Sequence, residues 1–265
     1  MSYKIKLFHL YPDAMNLYGD FGNIISIQRR CEWRGLEFEK IDVKIGDKTS
    51  LRDADILFMG GGQDRGQKII TGDLTKRGAE IRDRIEDGMV ALTICGGFQL
   101  FGHYFKTGDG AQIPGINVFD AYTVAGDKRL IGNVIVDIAH TSSEWAIKYK
   151  YHTIEIPHTT LVGFENHSGL THLGQKTKPL GYVIKGFGNN GDGGYEGGWY
   201  KNAFGTYLHG SLLPKNPWFA DHLIEAALMQ RYGSPIPLEK LDDSLEIMAH
   251  KAAIERAKTA RTLSI

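Results

Sequence analysis

The chain has 265 residues, with 31 Lys plus Arg against 31 Asp plus Glu, so its net charge is zero and it has no cationic surplus for a nucleic-acid backbone. At 42% hydrophobic and 23% charged it has a globular composition, and no apolar run approaches the ~20 residues of a membrane span. The opening residues, MSYKIKLFHLYPD, lack a secretory apolar region, and Cys31 and Cys95 alone exclude a disulfide framework; a cytosolic address follows.

Residues 4–10 read as a strand, and Asp20 is placed to cap a helix carrying Ile24, Ile27 and Cys31 on one face and stopping near Gly35. Residues 36–43 give a second strand. Residues 55–59 (DILFM) give a third that runs into Gly60, Gly61 and Gly62. An exposed, charge-rich helix is predicted from Asp73 to Asp87, and the apolar run 89–94 (MVALTI) is a central strand covered on both faces, ending at Cys95. This alternation predicts an α/β fold with a mostly parallel central sheet flanked by helices. Between 110 and 205, strand-like pieces at 116–124, 130–138 and 180–185 suggest β-rich elaboration. Asn216 and Pro217 open an amphipathic helix over 216–232. After the SPIP break, Leu238, Leu241, Leu245, Met248 and Ala252 recur at helical spacing over 238–258. The chain therefore divides into a main domain, 1–232, and a C-terminal helical extension, 233–265, which either packs on its own domain or docks a partner.

Chemistry concentrates at Cys95. A cysteine between a buried strand and two glycines that open a helix has the logic of a nucleophile elbow, in which a tight turn presents the nucleophile at the carboxyl edge of the sheet. A free thiol, with a pKa of ~8.5, is only slightly ionised at neutral pH, and a helix amino terminus favours the thiolate. The N–H of Gly96 points to where an oxyanion would form, and the glycines at 60–62, Gly61 and Gly62 among them, are the expected source of a second donor. Cys31, inside an amphipathic helix, reads as a core residue. The general base is expected to be His209, which ends the apolar run AFGTYLH; His167 in GFENHSG competes for that role or for substrate contact. A phosphate loop over 61–67 fails because Gln67 stands where its lysine belongs, and GFGNNG at 186–191 is not followed by a helix. His167 and His172, on an uncertain loop, lack further ligands for a metal. No cofactor is expected.

The glycine triplet, the Cys95-Gly96-Gly97-Phe98-Gln99 elbow and the late His209 resemble class I glutamine amidotransferase domains. LYGDFGN at 17–23, FMGGGQD at 58–64, ICGGFQLFG at 94–102, GFENHSG at 163–169 and FGTYLHGSLL at 204–213 are similar to the cobyric-acid-synthase-like (CobB/CobQ-like) branch, and within it to the GatD-type glutaminase subunits of lipid II isoglutaminyl synthases. The resemblance, over about residues 3–232, implies hydrolysis of L-glutamine to glutamate and ammonia. The ammonia would pass to a Mur-ligase-like, ATP-using partner of the MurT type that amidates the D-glutamate α-carboxylate of lipid II, at the inner membrane face. It implies Cys95 as nucleophile, Gly96 and a glycine of the 60–62 run at the oxyanion, His209 as acid, Gln99 against the glutamine and Arg129 on its α-carboxylate, with Asn166 and His167 beside the substrate. One departure stands out. Many class I members follow the histidine with proline and a glutamate that orients it, whereas Gly210 and Ser211 follow His209. The acid then comes from Asp64, Asp120 or Glu196, or, as the preferred expectation, from the partner subunit. A stand-alone cysteine hydrolase, an amidotransferase for another acceptor such as a corrinoid, and an idle binding module are the alternatives.

Overall fold

The computed structural model describes residues 3–17, 19–140 and 159–265; Tyr18 of the LYGDFGN run lies outside them. In chain order the elements are β1 (Lys4–Leu10), α1 (Phe21–Glu32), β2 (Glu37–Val43), β3 (Ile56–Met59), α2 (Asp64–Glu86), β4 (Val90–Ile94) and α3 (Gly96–Phe101). There follow β5 (Tyr104–Lys106), β6 (Gln112–Pro114), β7 (Ala121–Asp137), β8 (Thr160–Leu173), β9 (Gly181–Lys185), β10 (Tyr195–Glu196), β11 (Gly198–Tyr200) and β12 (Ala203–Thr206). The chain ends through α4 (Pro217–Tyr232), α5 (Ser244–Thr259) and β13 (Leu263–Ser264).

Among the described residues, one sheet runs β11-β12-β4-β3-β1-β2, parallel except for β11. The chain steps outward from β1 to β2 and then back across to β3 and β4. A topological switch point therefore lies between β1 and β3, where loops after the strand ends diverge and leave a crevice. Alternate side chains divide the core. Ile5, Leu7, Phe58 and Leu92 face Ile24 and Ile27 of α1 and the apolar face of α4, while Phe8, Leu10, Leu57 and Ala91 face Ile70, Leu74, Ile81 and Ile85 of α2. Each such Ile, Leu or Phe side chain contributes about 1.5–3 kcal/mol by its burial, so the parallel sheet is held from both faces. Arg30 of α1 adds a buried ion pair to Asp221 of α4 at 2.5 Å.

A second sheet, β10-β9-β7-β5-β6, carries β8 and β13 on β7. The long antiparallel pair β7–β8 is its spine.

The structure corrects several sequence expectations. The helix predicted from Asp73 starts at Asp64, and it is not simply exposed, because Gln67, Ile70, Leu74, Ile81 and Ile85 are buried. Gly66 lies in the first turn of this helix, where a Cβ would stand 2.9 Å from the Ala14 carbonyl, so close packing accounts for that glycine. The pieces at 116–124 and 130–138 are one strand, β7, without residues 116–120. His167 and His172 stand on β8 rather than on a loop. Asp20 makes no capping bond. The last helix begins at Ser244, and its packed face is His250, Ala253, Ile254 and Ala257, whereas Leu245 and Met248 face solvent.

Candidate active site

β4 ends in the buried run Val90–Ile94 and delivers Cys95 in a conformation that L side chains rarely adopt, φ 50 and ψ −106. The two glycines after it fix this turn. A Cβ at Gly96 would lie 2.9 Å from the Gly62 carbonyl oxygen, and one at Gly97 would lie 2.7 Å from that of Met59, so α3 packs against the backbone beyond β3 only because both residues lack side chains. The strain at Cys95 is held by this packing and by the bond from its N–H to the Thr206 carbonyl at 2.8 Å.

Because β12 pairs in parallel with β4, with Thr206 opposite Ile94, the segment after β12 emerges beside the elbow. It carries His209, three residues beyond the strand. The backbone of His209 is pinned to β8 in both directions, by its N–H to the Phe164 carbonyl at 2.7 Å and by the Phe164 N–H to its own carbonyl at 3.2 Å. GFENHSG thus positions the histidine of a different motif.

The His209 ring is fully buried and stands beside Cys95, close enough for ring and sulfur to interact electrostatically: a Cβ at Gly61 would lie 2.8 Å from His209 Cε1 and 3.4 Å from Cys95 Cβ. Its Nδ1 lies 3.0 Å from Asp20 Oδ1, and Asp20 Oδ2 accepts the Gly61 N–H at 2.7 Å. Asp20 is itself fully buried. Burial acts to depress the imidazole's pKa, but the facing Cys95 sulfur and the Asp20 carboxylate more than reverse this, raising it to about 10.

The acid on His209 is therefore in this chain, and it is none of the three that the sequence suggests. Asp64 lines the mouth of the cavity. Asp120 binds His103 at 2.9 Å. Glu196, fully buried, accepts from the Thr206 hydroxyl and the Tyr207 N–H, and burial pushes its pKa up to about 8. The expectation that a partner subunit supplies the group is corrected at the level of geometry. The sequence signal is present in LYGDFGN, but an aspartate before a helix reads as a cap. Only the adjacency of β1 and β3 brings the loop after β1 to the glycines and to His209.

A cavity of about 360 Å³ opens on Cys95. Its walls bring together Gly61, Gly62, Gln99, Arg129, Asn166, His167 and His209, with Gly96 directly behind the nucleophile. Gly61's N–H is committed to Asp20, which leaves Gly62 as the second oxyanion-donor candidate of the run. On the far strands, Arg129 Nε donates to Asn166 Oδ1 at 2.5 Å. His167 stacks on Tyr207 with ring centroids 3.8 Å apart, and its Nδ1 donates to the Gly169 carbonyl at 2.8 Å. The imidazole that interacts with the Cys95 sulfur is that of His209. Gln99 is held between Tyr207, whose hydroxyl accepts from Nε2 at 3.1 Å, and Gln67, whose Nε2 donates to Gln99 Oε1 at 2.9 Å. Gln67, which in the sequence is only the wrong residue for a phosphate loop, is a lining residue whose buried Oε1 has no partner among the described residues. Cys31 is buried and its thiol is pushed up to about 12 by burial, in keeping with a core role.

The class is glutamine amidotransferase. A solved glutamine amidotransferase from Thermotoga maritima matches with a TM-score of 0.52 at 15% identity, over 96% of this chain and 92% of its own. A second matches with a TM-score of 0.50 at 13% identity, over 86% of this chain and 99% of its own; both likenesses are of fold. The chain belongs to the CobB/CobQ-like glutamine amidotransferase domain family, whose profile matches residues 6–217. Among curated relatives, the lipid II isoglutaminyl synthase (glutamine-hydrolyzing) subunit GatD of Staphylococcus aureus (strain N315) is 37% identical over 96% of this chain and 97% of its own length. The GatD of Streptococcus pneumoniae (strain ATCC BAA-255 / R6) is 38% identical over 92% and 88%. A "Probable cobyric acid synthase" of Methanocaldococcus jannaschii is 27% identical over 70% of this chain but only 36% of its own length. No helix among the described residues is long and apolar enough to cross a membrane.

Proposed function

We propose that this chain is the glutaminase subunit of a lipid II isoglutaminyl synthase. It hydrolyses L-glutamine and passes ammonia to a Mur-ligase-like, ATP-using subunit of the MurT type, which amidates the D-glutamate α-carboxylate of lipid II at the inner membrane face. The observation that carries the reading is the Cys95–His209–Asp20 constellation at the mouth of a cavity, in a chain that matches GatD subunits almost end to end. Coverage separates this from the corrinoid alternative, because the chain spans about a third of the cobyric acid synthase it matches.

In the reaction, Arg129 and Asn166 take the substrate's α-carboxylate, a planar fork suiting that group. Cys95 attacks the side-chain amide carbon as thiolate, and the Gly96 and Gly62 N–H groups receive the negative charge that develops on oxygen. His209, as imidazolium, gives its proton to the amide nitrogen; the C–N bond breaks, ammonia leaves and a thioester remains. The now neutral His209 takes a proton from water, hydroxide adds to the thioester, and glutamate departs as the thiolate re-forms. Asp20 holds the ring with its Nδ1 proton inward throughout. Gln99, fixed by Tyr207 and Gln67, and His167 shape the cavity around the substrate.

The test is glutamine hydrolysis by the chain with its ligase partner, scored by isoglutamine formation on lipid II. Cys95→Ser is expected to abolish glutamine-dependent amidation while free ammonia still supports it. Amidation by Cys95→Ser with glutamine as sole nitrogen source would refute the proposal.

A further inference from the structure

We infer that the C-terminal strand of this chain positions Arg129, and so sets the affinity for the amino-acid end of the substrate; this rests on the reading of Arg129 as the carboxylate-binding group. The β7–β8 ladder is regular from Ala121 to Ala125 and again from Leu130 to Asp137, but between Ala125 and Leu130 its register shifts. Four residues of β7, 126–129, are set against the single Ser168 of β8, so they bulge from the sheet just where the chain must aim a long cationic side chain into the cavity. A bulge re-aims a side chain only if something else holds its backbone. Here the holder is the tail. The Arg129 N–H donates to the Ile265 carbonyl at 2.6 Å, and the Ile265 N–H donates to the Arg129 carbonyl at 3.1 Å. The pairing continues with Ser264 opposite Leu130 and Leu263 opposite Ile131. The contact is close: a Cβ at Gly132 would lie 2.6 Å from Thr262 Cγ2, so β7 carries a glycine where the tail crosses.

The tail is tethered at its other end as well. Ala253, Ile254 and Ala257 of α5 pack on Ile135 of β7 and Val162 of β8, and His250 bonds the Thr160 hydroxyl at 3.0 Å and the Lys215 carbonyl at 2.9 Å. The extension thus grips the β7–β8 pair along its length and closes on Arg129. The side chain of Ile265 is 71% exposed, so the link runs through the backbone and not through apolar burial.

The substitution Ile265→Pro removes the N–H that the Arg129 carbonyl accepts, a chain stopped after Arg261 removes the strand, and Leu263→Ala trims a side chain while leaving the backbone pairing whole. With the full complex, Ile265→Pro and the truncation are expected to raise KM for glutamine roughly five- to tenfold, the scale of one weakened hydrogen bond to a charged group, with kcat within about twofold. Leu263→Ala is expected to match wild type. Two alkylating probes read the same split on Cys95: a diazoketone analogue of glutamine, which carries the α-carboxylate, should react more slowly with the two tail variants, and iodoacetamide, which lacks it, should react at the wild-type rate. Unchanged KM in both tail variants overturns the inference. So does an equal loss of kcat and of iodoacetamide reactivity, which would mean general unfolding of the site, or an effect of Leu263→Ala as large as that of Ile265→Pro. Arg129→Ala serves as the reference: should it leave KM unchanged, the carboxylate assignment has failed, whatever the tail does.

Discussion

Replacing Asp20 by Asn tests the acid of the site directly. The carboxylate meets two fixed partners, the Gly61 N–H at 2.7 Å and His209 Nδ1 at 3.0 Å, and both it and the ring are fully buried. An ionised carboxylate accepts from both. A carboxamide of the same shape offers one acceptor oxygen and one donor group, so it can satisfy only one N–H. The backbone donor cannot change its character, so the amide turns its oxygen to Gly61 and its NH2 to the imidazole. That forces neutral His209 to carry its proton on Nε2, toward the sulfur, in the tautomer that cannot accept a proton there. Loss of one charge-assisted bond counts about 1.5–3 kcal/mol, or roughly ten- to a hundredfold in rate. The tautomer error alone reaches about 10⁴ in a Ser-His-Asp site, so kcat is expected to fall by between about 10² and 10⁴ while KM moves little. Glutamine hydrolysis would be followed for the chain alone and with its ligase, and iodoacetamide alkylation of Cys95 would be followed against pH, with the Asp20→Asn profile displaced from wild type. Wild-type kcat and an unmoved profile would refute the reasoning; so would full recovery of Asp20→Asn on adding the ligase, which would place the working acid on the partner.

Under the proposed role of Arg129 as holder of the substrate's unreactive end, Arg129→Ala is expected to raise KM for glutamine roughly ten- to a hundredfold with kcat largely kept, measured by steady-state hydrolysis. Gly96→Ala would set a Cβ 2.9 Å from the Gly62 carbonyl oxygen and 3.0 Å from its nitrogen, so both oxyanion donors must shift, and kcat should drop by about 10²–10³. The pH dependence of stability should carry the mark of Glu196. Burial raises its pKa from 4.5 to about 8, so between those values the folded chain holds a proton that the unfolded chain has lost, and stability falls as pH rises through that window. His209, raised from 6.5 to about 10, adds a fall of the same sign over its own window, with its contribution complete below 6.5 and lost toward 10. Thermal melts should therefore show Tm declining from about pH 5 to about pH 8, and Glu196→Gln should flatten the lower part of that decline; a Tm that rises over this range would contradict the buried neutral carboxyl.

What could be read in the sequence is what depends on short-range pattern. MVALTI followed by Cys95 and two glycines specifies a covered strand, a tight turn and a helix, and the structure has all three. His209 was legible because an apolar run that ends in histidine is an unusual strand terminus. Asp20 was not, because its role depends on the crossing of β1 beside β3, which no local pattern encodes, while its position before α1 mimics a cap. The start of α2 is hidden for a similar reason: Gly66 weakens helix propensity locally, but it is required by the approach of the Ala14 backbone, a contact some fifty residues away in the chain. Gln67 is hidden with it, since it lies before the predicted start of the helix at Asp73 and so shows no helix face in the sequence.

The presence of Asp20 changes where coupling to a ligase can act. A chain lacking its acid would hydrolyse glutamine slowly until a partner completed the constellation, and regulation would then appear in kcat. With Asp20 hydrogen-bonded to His209 and the imidazole beside Cys95, the proposed chemical step has no empty position to fill. On the proposed reading the adjustable part of the site is instead the carboxylate clamp, whose Arg129 sits on a bulge held by a two-residue strand. A partner that docks on the C-terminal extension would tighten or release the clamp without touching the nucleophile. Adding the ligase subunit should therefore lower KM for glutamine more than it raises kcat, in a titration read by glutamate release. The opposite partition, a large gain in kcat at constant KM, would show that coupling reaches the reacting groups themselves.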